Sequence, residues 1–188
     1  MPVRPAALEV LAAAAPVLNQ WGRWYLFGAQ AVVIYGVPRL SADVDVTVAL
    51  TPDEPAQLAA AMEAAGFAVR IEDPDFVHRT RVMPFVHRDT GMPLDVVLAG
   101  SGLEDDLLDR AVPTDVGGMT VPVVELTDLV TLKLIAGRDK DLQDARALSG
   151  LHAQHIDWDR IRTILATVEE ALGRSDLLPR LQALIDRT

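Results

Sequence analysis

The stretch that most constrains this chain is DVDVTVAL, residues 43–50. It is β-branched and alternates, which is the period of a half-buried strand. Residues i and i+2 of a strand share a face, so Asp43 and Asp45 project side by side while Val44 and Val46 turn into the core. Two carboxylates that close repel, and ionising both calls for a cation or a shared proton. A third acid, Asp95, stands alone inside the apolar strand PLDVVLA. If that strand pairs beside the first, three carboxylates converge. Such a set suits a hard cation, Mg²⁺ or Mn²⁺, which prefers oxygen ligands and shares its shell with substrate phosphates. Two such ions about 3.5–4 Å apart clamp the attacking and leaving oxygens of an in-line phosphoryl displacement. The alternative is a solvated strand edge with no ligand.

Upstream lies YLFGAQAVVIYGVPR, in which a strand runs into Gly28 and Ala29 and a short apolar helix follows. Backbone N–H groups at such a junction can receive phosphate oxygens, and glycine lets a ligand approach closely. Arg39 suits a phosphate or ties down the loop. Ser41 suits a cap or a hydrogen bond to an aspartate. Both are equally compatible with a structural loop.

Elsewhere the pattern predicts a helix from about Pro5 to Asn19, and a helix in TPDEPAQLAAAMEAAG with a threonine cap and Gly66 at its end. FAVRI reads as a strand, and RVMPFVH and MPLDVVLA as a hairpin about RDTG. GLEDDLLDRAV reads as a short helix and MTVPVVEL as an extended piece. TDLVTLKLIAGRDKDLQDARAL reads as one long helix capped by Thr127, and the segment from Asp157 onward as helical with breaks near Gly173 and Pro179. Strands cluster early and helices late. The expectation is an α+β fold: a mixed sheet flanked by helices over 1–125, with a C-terminal helical region over 126–188.

Both lysines of the chain lie in the long helical segment, in a chain that otherwise uses arginine, fifteen times. On one unbroken helix Lys133, Lys140 and Asp144 fall within roughly 40° of one another, flanked by apolar residues. A compact ammonium suits a phosphate as a point charge. An ordinary i,i+4 pair between Lys140 and Asp144 on a solvated helix explains the pattern equally well.

The 188 residues, half of them apolar, suffice for one sizeable core. The net charge of −10 argues against broad nucleic-acid binding, DNA included, while leaving room for a small basic cleft at one RNA end. There is no cysteine, which excludes disulfides and thiolate metal sites and is compatible with a cytoplasmic location. The alanine-rich N-terminus carries Glu9 and Pro16 and reads as an amphipathic helix rather than a signal peptide, and no apolar run approaches the roughly 20 residues of a membrane span. His78, His87, His152 and His155 form no metal-ligand grouping, with His152 and His155 expected at the surface. Trp21, Trp24 and Trp158 read as packing residues, and no P-loop is present.

Gly28-Ala29, a short helix and GVPRLSADVDVTV resemble the nucleotidyltransferase signature of the DNA polymerase β-like superfamily. The wording R-x-S-x-D-V-D and the later lone acid in LDVVL are most similar to the AbiEii-type branch, nucleotidyltransferase toxins of bacterial toxin–antitoxin systems. The resemblance runs from about Trp24 to Leu148. Members usually carry Gly-Ser or Gly-Gly where this chain has Gly28-Ala29. The resemblance implies transfer of a nucleoside monophosphate from an NTP to an acceptor hydroxyl. Asp43, Asp45 and Asp95 would be metal ligands and catalytic residues, and Gly28, Ala29, Arg39 and Ser41 would lie on the nucleotide side. It places Lys133 on the triphosphate, with Lys140, Asp141 and Asp144 shaping the acceptor side or bracing that lysine. A tRNA 3′ end is the implied acceptor and a cognate antitoxin the implied partner. An antibiotic-type small-molecule transferase and a non-catalytic binding module of the same fold are the alternatives.

Overall fold

A computed structural model describes residues 5–51, 54–100 and 102–187. The chain divides into two compact units: residues 1–31 with 39–124, and residues 32–38 with 125–188. Thr51 does not cap the second predicted helix, which starts at Pro55 with Glu54 as N-cap and no side-chain cap. Thr51 instead donates its backbone N–H to the Glu54 carboxylate at 2.6 Å, while residues 52 and 53 of the expected acidic turn lie outside the described residues.

The first unit is built on a sheet of seven strands among the described residues: β1 (Trp24–Phe27), β2 (Val44–Val48), β3 (Phe67–Val69), β4 (Val82–His87), β5 (Pro93–Leu98), β6 (Val112–Val116) and β7 (Met119–Val123). Their spatial order is β3-β4-β5-β2-β1-β7-β6. β2 and β5 are parallel, as are β1 and β7, and the other neighbours are antiparallel, so the sheet is mixed as the sequence predicts. Its helices are α1 (Ala6–Leu18), the start of α2 (Gly28–Ile34), α3 (Pro55–Ala64), α4 (Pro74–Thr80) and α5 (Leu103–Arg110).

Strand alternation gives the sheet two unlike faces. Val44, Val46, Val48, Leu94, Val96 and Leu26 are fully buried on one of them. α1 packs against β2 and α3 there, laying Val10, Leu11, Ala14 and Leu18 into the core. Asp45 and Asp95 sit between these valines and leucines in sequence and therefore emerge on the other face, with Thr47 and Phe27.

The second unit contains the end of α2 and α6 (Leu126–Ala136), α7 (Asp139–His152), a 3₁₀ turn (Ala153–His155), α8 (Trp158–Leu172) and α9 (Leu177–Ile185). The single helix expected across 127–148 is thus two. Gly137 ends α6 in the left-handed region (φ 65°), its N–H donating to Lys133 O at 3.0 Å. A side chain there would meet the Arg180 guanidinium, with Cβ only 1.9 Å from Nη1. Arg180 Nη1 also donates to Leu134 O at 3.0 Å, so α9 satisfies a carbonyl that the break exposes. The cap of α6 is Glu125, not Thr127: its carboxylate accepts from the Thr127 and Asp128 N–H groups at 2.9 and 3.4 Å. Pro179 causes no break, because it falls in the first turn of α9, where a missing N–H costs nothing.

Candidate active site

The parallel ladder of β2 on β5 pairs Asp45 with Asp95 directly, Cα opposite Cα. Asp43 lies two residues before Asp45, just ahead of the strand. All three carboxylates are half-buried. The backbone therefore brings together the elements that carry these acids.

The side chains of Asp45 and Asp95 lean apart. Asp45 leans toward β1, against Gly28: a Cβ built on residue 28 would lie 2.0 Å from Asp45 Oδ2. Gly28 also holds a positive φ of 66°. The sequence suggests that glycine clears space for a ligand, whereas here the space is taken by the Asp45 carboxylate. Asp95 leans the opposite way and forms an ion pair with Arg70, just past the end of β3. Among the described residues no three acid or imidazole groups are gathered closely enough to hold a metal ion. The donor chemistry nonetheless fits Mg²⁺ or Mn²⁺: three hard carboxylates on two adjacent strand segments, reachable from solvent.

The loop before β2 is tied to Asp43. Ser41 Oγ lies 2.8 Å from the Asp43 carbonyl oxygen and 3.1 Å from its Oδ1, and Gln30 Nε2 donates to the same carbonyl at 3.2 Å. Of the two options for Ser41, the hydrogen bond to an aspartate is the one formed. Arg39 is half-buried, Ala29 is buried, and Leu40 between Arg39 and Ser41 is 98% exposed. A separate apolar groove of about 810 Å³, lined by Ala59, Val69, Val77, Met83, Phe85 and Leu98 among others, lies under α3 and α4. Leu98 shares its strand face with Leu94 and Val96, so the groove opens on the side of the sheet away from the acids.

In the second unit Lys133 is buried and clamped. Its Nζ lies 2.7 Å from Asp144 Oδ2 and 3.2 Å from Asp141 Oδ1, and Arg138 Nε reaches Asp141 Oδ2 at 2.5 Å. Burial pushes the Asp141 carboxyl up, but Arg138 and Lys133 together outweigh it and hold it below its ordinary value of 3.8. The break at Gly137 removes the single helical face expected for both lysines, and Lys140 is exposed on the first turn of α7. His152, expected at the surface, is half-buried and donates from Nε2 to the Tyr35 carbonyl at 2.7 Å. His155 is exposed, and Trp24 is buried with its indole N–H on Asn19 Oδ1 at 2.7 Å.

Sequence reasoning missed Arg70, Gln30 and Glu125. Arg70 is a polar residue ending FAVRI, and nothing in that text says that β3 lies two strands from Asp95.

Residues 18–180 match the family described as nucleotidyltransferase of unknown function (DUF6036). The chain belongs to this nucleotidyltransferase family. No curated protein matches it. Among solved structures the enzyme is similar in fold to the antibiotic-resistance factor ANT(2'')-Ia in solution, with a TM-score of 0.61, 15% identity, and coverage of 89% of this chain and 95% of that one. An antigenic nucleotidyltransferase-like protein from Paracoccidioides brasiliensis gives 0.55 at 18% identity, covering 93% and 91%. The lincosamide antibiotic adenylyltransferase LnuA, lincomycin-bound, gives 0.51 at 16% identity, covering 74% and 96%. These likenesses establish the α+β nucleotidyltransferase fold of this enzyme.

Proposed function

We propose that this nucleotidyltransferase moves a nucleoside monophosphate from an NTP to a hydroxyl of a small cationic acceptor. The observation that carries the reading is the register of Asp45 opposite Asp95, with Asp43 at the head of the same strand. Asp43, Asp45 and Asp95 would hold Mg²⁺ or Mn²⁺, and such an ion supplies charge neutralisation to the triphosphate and to the attacking oxygen. The protein itself positions. The backbone N–H groups of Gly28 and Ala29 would receive phosphate oxygens, and Arg39 would add a guanidinium on the same side. Ser41 and Gln30 fix the Asp43 backbone, so its carboxylate is presented at a set height above the sheet. Asp95 faces the acceptor and receives the hydroxyl proton as the oxygen attacks the α-phosphorus and pyrophosphate leaves. Lys133 is given a structural part, since two carboxylates already occupy it at 6% exposure.

Two features support a small cationic acceptor. The net charge of −10 attracts cations. ANT(2'')-Ia, similar in fold, has been solved with adenylyl-2''-tobramycin. A second reading rests on GVPRLSADVDVTV, which resembles AbiEii-type toxins: transfer to a tRNA 3′ end, with growth arrest relieved by an antitoxin. Incubation with each labelled NTP, Mg²⁺ or Mn²⁺, and either total tRNA or a panel of aminoglycosides and lincosamides separates the two. Label on tRNA alone overturns the small-acceptor reading. Equal growth of bacteria expressing the wild type and Asp43→Ala counts against the toxin.

A further inference from the structure

Adjacent strands lie about 4.8 Å apart, so the paired Asp45 and Asp95 backbones stand close enough for their carboxylates to share an ion. What keeps them apart is visible on each side. Asp45 rests on Gly28 toward β1. Asp95 is drawn across β4 to Arg70. Arg70 is well placed for this, because its backbone N–H donates to Pro84 O at 2.8 Å, and Pro84 is the antiparallel partner of Asp95. The guanidinium is thus anchored one strand away, on the face that carries the acids. The pair is not buried: the side chains are 36% and 31% exposed. A pair so open to water contributes little and exchanges readily with other cations.

We propose that Arg70 is the resident counter-cation of Asp95, which it holds until a divalent ion takes the same carboxylate oxygens. The inference rests on the reading of Asp43, Asp45 and Asp95 as the ion's ligands. Guanidinium and metal exclude each other at Asp95, so each lowers the other's apparent affinity by the same factor. The bare ion therefore binds weakly, and it enters together with the nucleotide, whose phosphates supply the missing ligands. Once released, Asp95 is free to turn back toward Asp45.

The test uses the full chain without nucleotide and Mn²⁺ as the probe, with free Mn²⁺ followed by its electron paramagnetic resonance signal. Arg70→Gln is expected to bind Mn²⁺ more tightly than the wild type by about tenfold or more, the size of effect that one close charge has on a carboxylate. Arg70→Lys, which keeps the charge, is expected to stay near the wild type. Circular dichroism on each variant checks the fold, and Arg70 is exposed enough to replace. Unchanged or weaker Mn²⁺ binding by Arg70→Gln overturns the proposal, and so does a lowered melting temperature with unchanged affinity, which is the behaviour of a plain sheet-edge tie. Asp43→Asn distinguishes the two levels. If it loses Mn²⁺ binding while Arg70→Gln gains none, only the Arg70 role falls. If it binds Mn²⁺ as the wild type does, the carboxylate reading falls and the Arg70 role with it.

Discussion

Asp45 Oδ2 occupies the space that a side chain on Gly28 would need, 2.0 Å from the position of its Cβ. The glycine and the acid are therefore one device: β1 is followed at once by a residue without a side chain, so that the carboxylate of β2 can lie over it. Gly28→Ala is expected to fail twice, through the strained φ of 66° and through displacement of Asp45. The backbone part alone costs about 1–2 kcal/mol. Ala29→Ser, one residue on, restores the more usual signature and should leave the melting temperature within a few degrees. Thermal melts and nucleotidyl transfer measured on both variants check this. A fully active Gly28→Ala would show that the position of Asp45 is immaterial.

Removal of a carboxylate from the strand pair separates chemistry from stability. Asp45→Asn and Asp95→Asn should each reduce transfer by at least about a hundredfold, since even groups one step behind a metal ligand cost 10–100-fold. Their melting temperatures should stay within a few degrees of the wild type, because the Arg70–Asp95 pair that is lost is open to water and neighbouring acids on one face repel. The melts should be run without nucleotide and without divalent ions. A variant that loses activity only in proportion to its loss of folded protein would place the acid in the structure rather than the reaction.

The face that Asp45 and Asp95 share was legible in sequence because the two-residue period of an apolar alternating strand fixes which way a charged residue points. The β2–β5 register was not legible in full, since pairing depends on a strand order that no local text carries. β6 escaped because VPTDV is an exposed edge strand with a proline and an acid, so no apolar period marks it. α4 escaped because its seven residues are too few for a helical stripe to show. The long helix was misjudged at Gly137, where a tolerated helical glycine and a left-handed stop read alike until Arg180 is seen beside it. The same break explains why Lys133 and Lys140, alike in sequence, differ in burial.

That difference gives a contrast in stability. Lys133 and Asp141 are 7% and 1% exposed in their side chains, and Asp144 is 8%. Lys133→Met removes the ammonium that two buried carboxylates share, of which Asp141 keeps Arg138, and is expected to cost about 3–5 kcal/mol. Lys140→Ala, on an exposed turn, should stay within about 0.5 kcal/mol of the wild type. Urea denaturation at pH 7 measures both. Acid extends the contrast. The folded Asp141 carboxyl sits below 3.8, so its contribution is complete above that pH and is lost as the pH falls through the lower folded value. The wild type should therefore lose stability in this range faster than Asp141→Asn, and parallel curves would remove Asp141 from the acid response.

Tyr35 governs the alkaline side. Burial first, and then the negative charges of Glu125 and Asp128, push its hydroxyl from 10.0 up to about 12. Between these values the unfolded chain releases the proton and the folded chain keeps it, so the unfolded state gains as pH rises. The contribution is whole below pH 10 and is gone by about pH 12. Tyr35→Phe cannot titrate and keeps the aromatic ring, while the backbone carbonyl that accepts from His152 is untouched. The stability difference between wild type and Tyr35→Phe should be flat from pH 8 to 10, then move steadily against the wild type. Urea unfolding at half-unit pH steps follows it, and a difference that stays constant to pH 11.5 would mean that the Tyr35 hydroxyl is not the buried group described.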